Sequence, residues 1–514
     1  MHAERYRRRL DGHVSQGRLD AALAVLASWQ ASAPHDLEPE LLRARVELVS
    51  GHYVAARARF LAAVRERAVP PALAAEVVEG LRLFVAHDAL VQWAQAYAQR
   101  AALPSAEQAR IAAALSAVGA HALAREWADA AVAASPGDGV CRVNRALIHQ
   151  YAGEFAQASA DLAHALGTPQ ESAMGYWLQS RLRRQTAESN HVAVLRACLQ
   201  RQGLDRRDRE LLQFALFKEL DDLGEIDAAW QELSAACASV RARVPYDRAR
   251  HERMFEQLKQ PIAVPVAPPR AGDQVPLFIV GLHRSGTTLL ESMLGAHASV
   301  HTYGESQRLG AALRQAADYH CPTMIDEELA RRLPHLDYRG VRAHFQAEGR
   351  HATGDAAYVS EKTPDNFQLI GAIRHAFPEA KVLHLRRDPM DLCFANLREH
   401  FSGAVAHAND MDDLVHYHGL YQDLMTHWHA AYPGFVLDID YEDLVSDPLA
   451  SSRRVFDFCG LAWDEGVVDP ARWSGRSINT LSSVQARSRV NRGSIGRWQA
   501  YAHWLEPLRR GLQG

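Results

Sequence analysis

A period of 34 residues runs through the first half of the chain. Gly17, Gly51, Gly119 and Gly153 are separated by 34, 68 and 34 positions, and the skipped beat falls near Val85. A pattern recurs around the glycines. Gly51, Tyr53, Ala56, Phe60, Ala63 reappears as Gly153, Phe155, Ala158, Leu162, Ala165, and again as Gly224, Ile226, Ala229, Leu233, Ala236. The spacing is helical, and small side chains alternate with large ones. An alanine at one turn lets a neighbouring helix approach closely, while the aromatic or Leu a turn later fills the groove between helices. Pro34 and Pro136 stand 17 residues after their glycines, where a proline stops the second helix of a repeat.

These positions resemble the tetratricopeptide repeat, a pair of antiparallel helices, over roughly residues 10 to 255. The resemblance implies an N-terminal α-superhelix, assigned to residues 1–257, whose concave face holds a peptide or a protein partner. The next stretch, LKQPIAVPVAPPRAGDQVP, carries five prolines and no periodicity, so residues 258–276 are read as a semi-rigid linker. At 514 residues the chain is expected to hold two or three cores. Its formal charge of −4, from 57 basic and 61 acidic side chains, supplies no global field for nucleic acid or anionic lipid. Any anion must therefore meet a local site. Six scattered cysteines without a CxxC pair read as reduced thiols. Neither an export signal nor a run of about 18 apolar residues is evident, and the expected location is cytoplasmic, away from membranes.

After the linker comes VPLFIVGLHRSGTTLLESMLG, which reads as strand, tight loop and helix. Such a junction aims backbone N–H groups and the positive helix end at one spot, suiting a phosphate. Gly281 and Gly286 keep the G-x-x-x-x-G spacing of a P-loop, yet Thr287 occupies the position of its lysine. A kinase reading loses its γ-phosphate clamp there, and no evident Walker B acid follows. Arg284, Ser285, Gly286, Thr287 and Thr288 instead offer a fixed cation, three hydroxyls and a glycine.

The string RSGTT before an amphipathic helix resembles the 5′-phosphosulfate loop of the sulfotransferase family, nearest the protein-tyrosine sulfotransferase branch. Further segments keep the family's order over about residues 275 to 510. In AKVLHLRRDPMDLCFANL, Arg387 before Asp-Pro matches the arginine of the 3′-phosphate site, and a guanidinium suits that group. The family's serine eight positions on is Ala395 here, with Asn396 adjacent as a substitute. Tyr441, Ser482 and Arg497 match positions at the donor, with Trp498 following. The resemblance implies 3′-phosphoadenosine-5′-phosphosulfate as co-substrate, with no metal required.

Sulfuryl transfer needs positioning, charge stabilisation and a base for the acceptor hydroxyl. Glu305, in a Gly-Glu context, matches the base of the tyrosine-sulfating branch, and Arg308 a turn later also matches; His283 and His301 are rivals. Lys362, in SEKTPDNF, matches a lysine that neutralises charge on the bridging oxygen and sulfuryl group, and Ser482 assists the leaving group. Arg284 serves both donor binding and transition-state stabilisation. His416, His418, His427 and His429 share one helical stretch, but their HxH spacing lacks the i, i+4 geometry of a helical zinc site. Cys393 shows no partner for thiolate activation and reads as a small buried residue.

The expected fold is thus α plus α/β, a helical superhelix followed by a P-loop-like domain with a mainly parallel sheet over residues 277–514. The expected reaction is sulfation of a hydroxyl, with a tyrosine of a peptide or protein as first acceptor and a small phenol or carbohydrate second. A helical binding scaffold carrying a degenerate nucleotide fold is the alternative of another class.

Overall fold

The computed structural model describes residues 2–167, 172–349, 356–473, 483–484, 487 and 490–513. Its first half consists of antiparallel helix pairs stacked in chain order. Among them are Glu38–Val49 with Tyr53–Glu66, Ser105–Ala117 with His121–Ala134, Gly139–Ala152 with Phe155–Leu166, and Arg206–Leu223 with Ile226–Arg243. The turns within pairs fall on the periodic glycines. Gly17, Gly51, Gly119, Gly153 and Gly224 all have φ between 68° and 85°. Val85, at the skipped beat, adopts φ 50°. A β-branched residue there is a backbone outlier, so the repeat geometry imposes the turn even where glycine is missing. Ala56, Phe60, Ala63 and their counterparts Ala158, Leu162, Ala165 are buried between helices.

The second half is built on a five-stranded, wholly parallel sheet. Its strands are β1 (Val275–Gly281), β2 (Val300–Thr302), β3 (Tyr358–Glu361), β4 (Lys381–Arg386) and β5 (Val436–Asp440), in the order β2-β3-β1-β4-β5. The central strand β1 is apolar and buried nearly throughout, as a strand covered on both faces must be. Each parallel connection crosses over, so all five strands end at one edge of the sheet. The chain winds from β1 outward to β2 and β3, then returns to the other side of β1. That reversal opens a crevice beyond the carboxyl ends, where ligands of open α/β sheets bind.

The two halves share packing. Phe214, Phe217 and Leu220 of the helical array lie in one hydrophobic cluster with Cys393, Phe394, Tyr501 and Leu508 of the α/β half. The proline-rich segment is also pinned: Ala267 is buried and donates its N–H to the carbonyl of His375 at 2.7 Å. Just before it, Met254, Phe255 and Leu258 enter the α/β core beside Phe278 and Phe367. All six cysteines are buried, and none forms a disulfide among the described residues. No helix among the described residues is long and apolar enough to cross a membrane.

Candidate active site

The sheet turns separate sequence motifs into a row. Arg284 follows β1, Glu305 follows β2, Lys362 follows β3, Arg387 follows β4 and Tyr441 follows β5. Across the sheet edge their order is Glu305, Lys362, Arg284, Arg387, Tyr441. With about 4.8 Å between neighbouring strands, one extended ligand can span the row.

Arg284 lies in the tight loop at φ 67°, and Gly286 at φ 108° leads into the helix Thr287–Gly295. A β-carbon on Gly286 would stand 2.5 Å from Cδ2 of Tyr441, so the glycine lets that ring lie against the loop. Ser285, Thr287 and Thr288 are buried at the helix start, and the Ser285 hydroxyl has no hydrogen-bond partner among the described residues. Arg387 packs over the Tyr441 ring at 4.8 Å. It donates from Nη1 to the carbonyl of Arg284 at 2.9 Å and from Nη2 to that of Ser494 at 2.7 Å, while its buried Nε has no partner. The Tyr441 hydroxyl meets Ser494 Oγ at 2.5 Å, which ties the loop near the C-terminus to the same edge.

Asn396 is buried and donates from Nδ2 to the carbonyl of His283 at 2.8 Å and of Leu392 at 2.9 Å. It props the phosphate loop from behind, while Ala395 faces the cavity. Arg497 also lines the cavity, held at 2.7 Å by Asp221 of the helical array. Ser482 lies outside the described residues. Its neighbour Ser483 is buried and accepts from Nε2 of Gln150 at 3.1 Å.

Glu305 and Lys362 form an ion pair beside the cavity rather than in its lining. The turn that carries Glu305 is fixed from both sides by buried carboxylates. Glu291 accepts from the Gly304 N–H at 3.0 Å, and Glu361 accepts from Ser306 Oγ at 3.0 Å. Burial pushes both carboxyls above their ordinary value, against the pull of Lys362 on Glu291 and of Arg308 on Glu361. Arg308 is buried between Tyr303 and Phe345 and does not pair with Glu305. Of the rival bases, His283 stands 3.7 Å from Asp365, and His301 packs edge-on against Tyr303. Tyr151, from the helical array, feels Glu305 electrostatically, and burial first and then that carboxylate push its phenol up to about 12.

The cavity lies over the Arg284, Arg387 and Tyr441 part of the row, holds about 670 Å³ and is lined by eight basic and four acidic side chains. Burial pushes the Arg284 guanidinium below its ordinary value; Glu399 opposes this, while Arg181, Arg387 and Arg398 add to it. Burial also disfavours an ionised Glu399, but Arg181, Arg284 and Arg398 outweigh it and hold that carboxyl low. Arg181, Asp221 and Glu399 give no warning in the sequence, since each reads as a solvated charge near a helix end. Elsewhere, Asp438 accepts from His384 at 2.7 Å and from His429 at 3.0 Å; these three form the one group among the described residues with metal-ligand proximity. Arg386 approaches the same carboxylate at 3.3 Å.

A parallel sheet whose central strand feeds a glycine loop and a helix start, beneath a basic cavity, defines an α/β domain of the phosphate-loop class that lacks the P-loop lysine. More specifically, residues 276–465 match the model of the sulfotransferase family, and this part of the chain is a sulfotransferase-family domain. An uncharacterized protein of Aquifex aeolicus (strain VF5) is 28% identical over 340 residues, 64% of this chain and 44% of that protein. Protein-tyrosine sulfotransferase A of Caenorhabditis elegans is 28% identical over 41% of this chain and 56% of its own length. Protein-tyrosine sulfotransferase 2 of Gallus gallus is 27% identical, over 45% and 64%. The chain thus spans less than two thirds of each of these relatives. The sulfotransferase domain of the Synechococcus PCC 7002 olefin synthase aligns at TM-score 0.30 and 18% identity, over 46% of this chain and 91% of that one.

Proposed function

We propose that the chain transfers a sulfuryl group from 3′-phosphoadenosine-5′-phosphosulfate to an acceptor hydroxyl, with a tyrosine of a peptide or protein as the preferred acceptor. The observation that carries this reading is the row of strand ends, with a carboxylate and a lysine at one side of the phosphate loop and an arginine and a tyrosine at the other. The donor supplies a sulfuryl group whose charge spreads over three oxygens and a phosphate leaving group. The residues present fit such a polyanion. Two buried polar atoms at the site, Ser285 Oγ and Arg387 Nε, lack partners among the described residues, and basic side chains outnumber acidic ones around the cavity.

Arg284, Ser285, Gly286, Thr287 and Thr288 would hold the 5′ end, Arg387 the 3′-phosphate, and Tyr441 and Arg497 the nucleotide between them. Glu305 would take the acceptor proton on a carboxylate oxygen, which a phenol of reference pKa about 10 requires at neutral pH. Lys362 would answer charge developing on the transferred group. A tyrosine acceptor is favoured by the matches to proteins named protein-tyrosine sulfotransferases.

Calorimetric titration with 3′-phosphoadenosine-5′-phosphate, with AMP as control, tests the donor. Tight binding of the bisphosphate with little AMP binding is expected, followed by sulfate incorporation into tyrosine peptides from the full donor. A protein that ignores the bisphosphate is not this enzyme.

A further inference from the structure

The cavity wall is not built by the sulfotransferase-family segment alone. Trp177, Arg181, Lys218 and Asp221 line it from the helical array, all upstream of the matched residues 276–465. Two ion-pair knots join the halves at that wall. In the first, Glu399 receives Arg181 through two contacts of 2.8 and 3.1 Å and stands 3.6 Å from Nε of Arg284. In the second, Asp221 receives Arg398 at 3.0 Å and Arg497 at 2.7 Å, and accepts from the Tyr501 hydroxyl at 2.8 Å. Each carboxylate serves two guanidiniums, so each knot keeps an excess positive charge facing the cavity. Lys218, one turn before Asp221, pairs with Asp222 at 2.6 Å, and Ala395 is one turn before Arg398. Lys218 and Ala395 both line the cavity that the Arg398–Asp221 pair borders.

We propose that the donor site is composite, with Arg181 and Lys218 of the helical array binding the donor's phosphate groups beside Arg284 and Arg387. Lys218 supplies a cation on the wall where Ala395 offers no hydroxyl, and so contributes to recognition of the 3′-phosphate. Arg181 acts with Arg284 at the 5′ end. The helical array is then half of the nucleotide site, whatever partner its other surfaces hold. This rests on the donor reading above and extends it to residues that reading does not use.

The test uses the full chain and calorimetry with 3′-phosphoadenosine-5′-phosphate and AMP. Lys218→Gln weakens the bisphosphate about tenfold or more and leaves AMP nearly unchanged, the loss expected for one charge-assisted contact. Lys218→Arg keeps most of the affinity. Arg181→Gln weakens both ligands about equally, and Arg181→Lys, which keeps a charge against buried Glu399, serves as the milder variant if the first fails to fold. Thermal melting of each variant verifies folding. Wild-type affinity for the bisphosphate in folded Lys218 and Arg181 variants overturns the composite site and leaves the donor reading standing. Absence of bisphosphate binding by the wild-type chain overturns both.

Discussion

Lys362 donates from Nζ to Oε1 of Glu305, and the two partners differ in exposure: the ammonium side chain is 0% exposed and the carboxylate 44%. The lysine is fixed in place while the acid keeps one flank toward solvent. A carboxylate held this way by a buried cation has its direction set, and under the proposed function its second oxygen is the one that would take the acceptor proton.

Glu305→Gln preserves shape and removes the proposed base. Turnover should fall by about 10²–10⁴-fold, with affinity for 3′-phosphoadenosine-5′-phosphate little changed. Single-turnover kinetics alongside calorimetry separate the two quantities; an unchanged rate would assign the proton to another group, with His283 next to be tested.

Arg387→Ala should act on binding instead. Its loss removes the guanidinium beside Tyr441 and two ties, to Arg284 and Ser494. The preference for the bisphosphate over AMP should shrink at least about tenfold, a ratio read directly from the two titrations.

Two glycine substitutions should separate backbone strain from site geometry. At Gly119, φ is 83° and an added β-carbon meets nothing within 4 Å, so Gly119→Ala should cost about 1 kcal/mol of stability and leave donor affinity alone. At Gly286 the added carbon meets the Tyr441 ring at 2.5 Å, so Gly286→Ala should lose donor affinity as well as stability. Melting curves and titrations of the pair show whether the two effects divide this way.

Burial alone pushes His418 down to about 4. Because its folded value lies below the ordinary 6.5, the unfolded chain binds the proton more readily across that interval. Its contribution is full above pH 6.5 and is lost as pH falls toward 4, at about 1.4 kcal/mol per unit of pKa difference. His418→Leu should therefore lose less stability than wild type over the same acidification, as followed by urea unfolding at a series of pH values. An equal loss in both proteins would show that His418 is not neutral and buried in solution.

Much of the architecture was legible because its causes are local. A turn that needs positive φ selects glycine, so a helix-pair period shows itself in residue spacing; at Val85 the spacing located a turn that composition did not mark. The strand before Gly281 and the helix after Gly286 were equally plain, since an apolar run and an amphipathic run change period at the loop. Asn396 shows the limit. Its position beside Ala395 suggested a phosphate contact, whereas the helix turns its amide back to the carbonyl of His283. One residue along a helix is about 100° of rotation, and only packing decides which face meets the cavity.

The sequence by itself determined the local pieces: helix pairs, a parallel α/β unit, a phosphate loop without its lysine, and charged residues at strand ends. Tertiary structure alone decided that these strand ends form one row and that the helical array closes over it. The pairs Arg181–Glu399 and Asp221–Arg497 join residues 218 and 276 positions apart. No spacing rule reaches that far, because such contacts follow from how two apolar surfaces dock, and the charges along their rim are matched only once the surfaces have met.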